Sequence, residues 1–433
     1  MINKIVIATV LHCVVASALA GEAPAIRLNT IGYQPAARKQ ASIAAKCSSF
    51  VIVRLSDGAK VLSGKTTGPT GNADTGEQLW TADFSSLKTP GKYRLDVRGV
   101  GASAPFTVGA DVFVKPFRTV VRGMYLWRCG TAVKGVHNGQ TFAHGPCHMN
   151  DAWLDMAAGK HQRAKSTGGW HDAGDYNKYV VNAGVTVGAM FRAWEDFAPQ
   201  IRKVRLGIPE SGGKMPDYLA EIKWEIDWLL TMQAADGSVY HKLSRKKFSG
   251  MIMPERDRTE RFFTPWGSAA TADFVAMTAA AARYFRPYDA AFAAKCLAAA
   301  RKSYAFLVKH PKDHRADLKG FSTGTYQTRD SDDRLWAAAE LWETTGQADA
   351  LADCEARIKS ARARVDVYWD WGNVRNLGLL TYLQSKRSGR DRALVSKVRT
   401  SLLATADGIV KTAKAHGYAR PLGTRYSWGC NGA

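Results

Sequence analysis

The sequence predicts two folded parts in succession, a small β-sandwich of immunoglobulin type followed by an all-helical domain, and three observations carry that prediction. At 433 residues the chain exceeds what one hydrophobic core ordinarily serves. Residues 26–108 run in short β-type segments broken by turn residues, and after Gly109-Ala110-Asp111 the texture becomes helical. The composition, 46% hydrophobic and 23% charged, is that of a folded protein.

Taken in order, the chain opens with Met-Ile-Asn-Lys and an apolar run from Ile5 to Ala20 that ends in Ala18-Leu19-Ala20. A basic start, a short apolar stretch and an Ala-x-Ala site are the pattern of a secretory signal peptide, so residues 1–20 are expected to be removed and the protein secreted or periplasmic. No later segment is apolar enough to cross a bilayer. In the sandwich region, 26–108, Val51-Ile52-Val53-Arg54-Leu55 precedes the turn Ser56-Asp57-Gly58, and Lys92 to Val97 alternates polar and apolar residues after Thr89-Pro90-Gly91. No cluster of catalytic residue types falls there, and the module reads as a packing element.

The helical domain is expected over 111–433. Leu219, Ile222, Ile226, Leu229 and Leu230 recur with helical spacing, and an alanine-rich helical stretch from Met277 to Leu307 is broken at Arg286-Pro287. Leu335 to Trp342 and Ala393 to Val410 read the same way. Trp224 and Trp228, four apart on an amphipathic helix, belong to the core. The loops between these helices are rich in Gly, Asp and aromatic residues, which is where a helical scaffold carries its chemistry.

A formal charge of +22 raises nucleic acid as a partner, but the Lys and Arg residues are scattered, the densest cluster being Arg245-Lys246-Lys247. A solvated basic surface accounts for them, and neither nucleic acid nor membrane is expected as a partner. One of the 7 cysteines, Cys13, lies in the leader, which leaves an even number in an exported chain and permits disulfides.

The strongest local signal is Gly168-Gly169-Trp170-His171-Asp172-Ala173-Gly174-Asp175-Tyr176-Asn177-Lys178-Tyr179. Two carboxylates three residues apart in a glycine-rich loop converge on one small volume. Inverting cleavage of a glycosidic bond needs a carboxylate that activates water and an acid about 6.5–9.5 Å away across the bond. Residues this close in sequence are placed together on the water side, with the acid elsewhere. A turn or a calcium loop is the competing reading of the same residues.

That string resembles the catalytic-base motif of glycoside hydrolase family 9. Ile31-Gly32-Tyr33, Phe262 to Phe274, Asp332-Asp333-Arg334-Leu335-Trp336-Ala337-Ala338 and Tyr426-Ser427-Trp428-Gly429-Cys430-Asn431-Gly432 are similar to the members of that family that carry an N-terminal immunoglobulin-like domain. The resemblance covers nearly the whole chain beyond the leader. It implies an (α/α)6 barrel, a β-1,4-glucan substrate and inverting hydrolysis of the endoglucanase type, with Asp175 as general base and Asp172 its partner in holding the water. The family's general acid is a glutamate beyond the Trp-Gly-x-Asn segment, and no residue before Ala433 maps to it. The expectation is therefore a barrel incomplete at its C-terminus and an impaired enzyme. An exo-acting hydrolase of cello- or chito-oligosaccharides and a non-catalytic carbohydrate-binding protein are the alternatives.

The resemblance also bears on metals. Cys129, Cys147, His148 and His171 make a tetrahedral set for structural Zn²⁺, with His144 and His161 as competitors for the fourth place and a Cys129 to Cys147 disulfide as the other reading. Asp330, Asp332 and Asp333 offer oxygen ligands for Ca²⁺ at a helix start, where capping carboxylates explain them equally well. Trp266, Trp336, Tyr426 and Trp428 are the candidate platforms for sugar rings, and a monomer is expected.

Overall fold

The computed structural model describes residues 24–159 and 161–422, so the expected signal peptide and the expected platforms Tyr426 and Trp428 lie outside the described residues. The chain divides into two compact units: residues up to Val112 together with Ala415–Arg420, and Phe113–Lys414 with the residues from Pro421.

The first unit is a β-structure of strands β1 (Ile26–Leu28), β2 (Gln40–Ile43), β3 (Ser49–Arg54), β4 (Lys60–Gly71), β5 (Gln78–Asp83), β6 (Gly91–Val97), β7 (Gly101–Ala102) and β8 (Phe106–Val108). The path is β1-β2-β5-β4-β3-β6-β7, with β8 also on β6, and all the pairs are antiparallel. The long strand β4 serves both halves, pairing β3 through its first residues and β5 through its last, with register shifts at Ile52/Val53 and at Thr67/Thr70. Such bulges bend a strand and fold one half over the other. Strand β6 shows why the alternation was readable: Tyr93, Leu95 and Val97 point inward while Lys92 and Arg94 face solvent. Ile43, Ile52, Phe84 and Phe106 complete the core between them. The segment Ala415–Arg420 lies on this unit, with the Ser42 hydroxyl donating to the Gly417 carbonyl at 2.9 Å.

The second unit is helical. Its helices are α1 (Val114–Leu126), the short α2 (Asp155–Ala158), α3 (Val180–Ile201), α4 (Asp217–Leu229), α5 (Ser268–Phe285), α6 (Ala290–Lys309), α7 (Ser331–Thr345), α8 (Ala348–Ser360), α9 (Arg375–Gln384) and α10 (Arg392–Ala415). Helix α5 is buried on every side, which its alanines allow: small side chains let α3, α4, α6 and α7 pack around it. The predicted break at Arg286-Pro287 separates α5 from α6, whose first turn is capped by Asp289 accepting from the Phe292 amide.

Helix α7 corrects one expectation. Trp336 is 1% exposed, and its indole donates to Glu340 Oε1 at 3.2 Å. Gly188 of α3 and Gly378 of α9 press directly on it, leaving no room for a Cβ at either glycine. It is a core residue and offers no face to a sugar.

Two hairpin-like elements position the loops. Strands β9 (Val133–His137) and β10 (Gln140–His144) pair with each other, while β11 (Lys178–Tyr179), β12 (Lys242–Ser244) and β13 (Phe262–Phe263) form a small antiparallel sheet. Because β11 directly follows the Asp172–Asn177 loop and precedes α3, this sheet ties the motif to the loops before and after β12.

Candidate active site

The motif loop is built on glycines that only glycine can supply. Gly168 and Gly169 have φ of 111° and 74°, and a Cβ on Gly169 would lie 2.7 Å from the Trp228 ring. Trp228 is 1% exposed, and the Trp224 indole donates to the Gly169 carbonyl at 3.1 Å. These two tryptophans of α4 pack beneath the motif as core residues and set its height.

The loop then closes on itself, the Asp172 amide donating to the Asn177 carbonyl at 2.9 Å. Both carboxylates are held from the side. On Asp175, Oδ2 accepts from the Tyr179 hydroxyl and the Asn177 amide, each at 2.8 Å, while the enclosed Oδ1 takes no hydrogen bond from the protein. On Asp172, Oδ1 accepts from the Asn182 amide at 2.6 Å and Oδ2 from the Tyr326 hydroxyl at 3.3 Å. Burial raises Asp172 above the usual carboxylate range; the Asn182 hydrogen bond works against this and the charge of Asp175 adds to it. Burial likewise lowers the Lys242 ammonium to about 8, with Asp175 acting in the opposite sense. That ammonium donates to Thr323 Oγ1 and to the Gly324 carbonyl, fixing the loop that delivers Tyr326.

Strain collects here. His148, Tyr176 and Tyr326 are non-glycine residues with φ of 51°, 57° and 42°. Each such conformation costs on the order of 1–3 kcal/mol and persists only where its surroundings enforce it. The Tyr176 carbonyl accepts from Arg261, its hydroxyl donates to the Ile252 carbonyl, and its ring lies 5.0 Å from that of His171.

Asp172 opens on a cleft of about 400 Å³ between α1 and α3, lined also by Trp127, Trp170, Tyr179 and Asn182. Trp127 is 47% exposed and lines this cleft, a position no motif in the sequence marked. Trp266 does not line this cleft: its ring stacks on His314 at 3.9 Å with Phe306 and His310 edge-on. Asn177 and Tyr179 stand inside the quoted motif, so their residue types were visible though unassigned. Tyr326 comes from 154 residues away and carried no signal.

Next to the carboxylates, the ligand atoms of Cys129, Cys147, His148 and His171 lie within 4.8 Å of one another. Cys129 Sγ is 3.7 Å from His148 Nδ1, and Cys147 Sγ is 3.6 Å from His171 Nε2. With Zn–S at about 2.3 Å and Zn–N at about 2.0–2.1 Å, a tetrahedral site places neighbouring ligands about 3.5–3.8 Å apart, so the four residues fit zinc. Cys129 and Cys147 are not bonded to one another in this structure. Burial opposes ionisation of Cys129, yet the Cys147 hydrogen bond and the charges of Lys178 and Arg261 hold it well below the usual thiol value. His148 Nε2 faces Asp257 at 3.6 Å, the carboxylate that would orient a ligating ring. His144 instead bonds the Gly145 carbonyl, and the exposed His161 pairs with Asp155.

The structure lends the calcium expectation no support. Asp330 pairs with Arg334 at 2.6 Å, Asp332 accepts from the Val374 amide at 2.7 Å, and Asp333 is buried against Asp273. The three carboxylates serve different partners, and among the described residues they form no shared metal cage.

Comparison with known proteins agrees with this geometry. Residues 113–433 match the model of glycosyl hydrolase family 9, and residues 21–102 match the cellulase N-terminal ig-like domain. The chain is 55% identical over 410 residues to endoglucanase D of Acetivibrio thermocellus, covering 94% of this chain and 65% of that relative's length. A metagenome-derived family 9 endoglucanase superposes with a TM-score of 0.80 at 35% identity, over 92% of this chain and 74% of the other. A Zn-binding triple mutant of a family 9 endoglucanase does so with a TM-score of 0.82 at 33% identity, over 90% and 74%. The architecture is thus an immunoglobulin-like sheet domain followed by an (α/α)6 barrel.

Proposed function

This chain belongs to glycosyl hydrolase family 9, and we propose that it cleaves internal β-1,4 linkages of a glucan with inversion, Asp175 acting as general base. The observation that carries the proposal is the unequal treatment of the two Asp175 oxygens. Oδ2 is loaded with two donors, which fixes the carboxylate plane, and Oδ1 is left without a protein partner. A water seated between Oδ1 and Asp172 is aimed at the anomeric carbon from the face opposite the leaving oxygen. As its oxygen forms the new bond, its proton passes to Asp175; the old glycosidic bond breaks, and the leaving oxygen takes a proton from solvent where a general acid would otherwise give it. None of the 433 residues is assigned to that acid. Endo action is read from the name of endoglucanase D, to which the chain is similar.

Cys129, Cys147, His148 and His171 would hold Zn²⁺ as a structural cross-link, since His171 adjoins Asp172 and Tyr176 touches both histidines. The metal would brace the loop and take no part in the reaction. We place the site of action outside the cytoplasm, on the pattern of residues 1–20.

The test is release of reducing ends from carboxymethylcellulose and cellohexaose, with viscosity followed in parallel. Asp175→Asn should lower kcat by about 10²–10⁴ while cellohexaose binding persists. A chain that binds cellohexaose and releases no reducing ends would replace hydrolysis by carbohydrate binding. Reducing ends without loss of viscosity would replace endo by exo action.

A further inference from the structure

The Asp172 cleft does not end at α1. Gly123 and Leu126 of that helix line it on one side and, on the other, line a second groove of about 550 Å³ between α1 and the β9–β10 hairpin. Lys115, Arg118 and Arg122 reach into this groove, and no Asp or Glu lines it. Their spacing of three and four puts them on one face of α1, a stripe about 10 Å long.

Lys115, Arg118 and Arg122 make no ion pair with an acidic residue among the described residues. Arg122 gives one Nη to the Val136 carbonyl at 3.2 Å, yet its Nε is enclosed without a hydrogen bond. A guanidinium in a concave site with an enclosed, unused Nε–H favours an anion, and its planar fork matches a carboxylate. Val136 and Phe142, 53% and 45% exposed, add apolar surface at the groove wall, suited to the CH faces of a pyranose ring.

We propose that this groove is a binding site for a carboxylate-bearing sugar, so that the glucan accepted by the cleft carries acidic groups that extend over α1. The inference rests on the glucan reading above and names its substrate class more narrowly. The neutral backbone occupies the Asp172 cleft, and the uronate-type carboxylates lie against Arg118 and Arg122.

The experiment is calorimetric titration of the Asp175→Asn chain with two probes, cellohexaose and its C6-oxidised hexauronate, at low and high salt. The expected result is that Arg118→Ala with Arg122→Ala weakens hexauronate binding about tenfold or more, leaves cellohexaose unchanged, and abolishes the salt dependence seen in the parent. The pair Arg118→Gln and Arg122→Gln, which keeps the side-chain bulk, should behave alike and guards against a folding defect. Equal hexauronate binding by parent and variants, or none by the parent, overturns the proposal. Arginine-dependent hexauronate binding with no cellohexaose binding upholds the groove and overturns the neutral-backbone reading instead.

Discussion

The Tyr179 hydroxyl donates to Oδ2 of Asp175 at 2.8 Å from a side chain that is itself buried, so the hydroxyl has one place to go. Burial, with the Asp175 charge adding to it, pushes the Tyr179 phenol well above its ordinary value, which keeps the proton on the tyrosine and the bond in this sense. A hydrogen bond to a charged group contributes about 1.5–3 kcal/mol. Tyr179→Phe should therefore lower kcat roughly tenfold to a hundredfold with little change in KM, because the hydroxyl it removes is committed to Asp175. Steady-state kinetics on cellohexaose decides it, and a change confined to KM would show that Tyr179 binds substrate.

The proposed zinc site offers an independent handle on the same loop. Because His171 precedes Asp172 and Cys129 accepts a contact from Arg261 at 3.4 Å, loss of the metal should loosen the motif and leave buried charges unbalanced. Chelation, or Cys147→Ser, is expected to lower Tm by about 10 °C and to reduce kcat. Metal analysis of the parent should give one zinc per chain. Two oxidised cysteines at 129 and 147 with no zinc would end the assignment.

Asp273 of α5 and Asp333 of α7 are both fully buried and face one another. Burial raises both well above the usual carboxylate range, and the charge of Asp273 raises Asp333 further, so the pair keeps a proton in the folded state. The folded chain then binds more protons than the unfolded chain above the unfolded carboxylate pKa of about 4. Stability conferred by this pair is full below that value and is lost as pH rises toward the folded pKa. Asp333→Asn, which keeps the shape and removes the ionisation, should raise Tm at pH 8 more than at pH 5. Thermal melts at the two pH values test this, and equal shifts would show that the pair does not ionise on unfolding.

How far the sequence could be read depends on the range of the interactions. The compact geometry of the motif loop was legible because its glycines, aspartates, Asn177 and Tyr179 lie within twelve consecutive residues and fold on themselves. The helix break at Arg286-Pro287 and the alternation in β6 are equally local. The Cys129, Cys147, His148 and His171 cluster was proposed by residue type and by resemblance, since nothing in the spacing brings Cys129 to His171. Asp330, Asp332 and Asp333 left their role open because a carboxylate at a helix start looks the same in sequence whether it meets a cation, an amide or Arg334. Tyr326 and Asn182, which hold Asp172, are set by the packing of distant elements and left no trace in the string.

Tryptophan shows the same limit, and yields the last prediction. Trp336 and Trp127 are chemically alike, but Trp336 lies under Gly188 and Gly378, whereas Trp127 follows α1 at the cleft edge with its carbonyl accepting from the His171 amide at 2.9 Å. The two should therefore answer truncation in opposite ways. Trp336→Ala removes a packed ring and should cost about 3–5 kcal/mol of stability. Trp127→Ala leaves the backbone contact intact and removes only a half-exposed ring, so Tm should hold while KM for cellohexaose rises several-fold through loss of a stacking face. Melting curves and kinetics on the two variants check the pair. A Trp127→Ala chain with unchanged KM would show that sugar does not lie along this edge of the cleft.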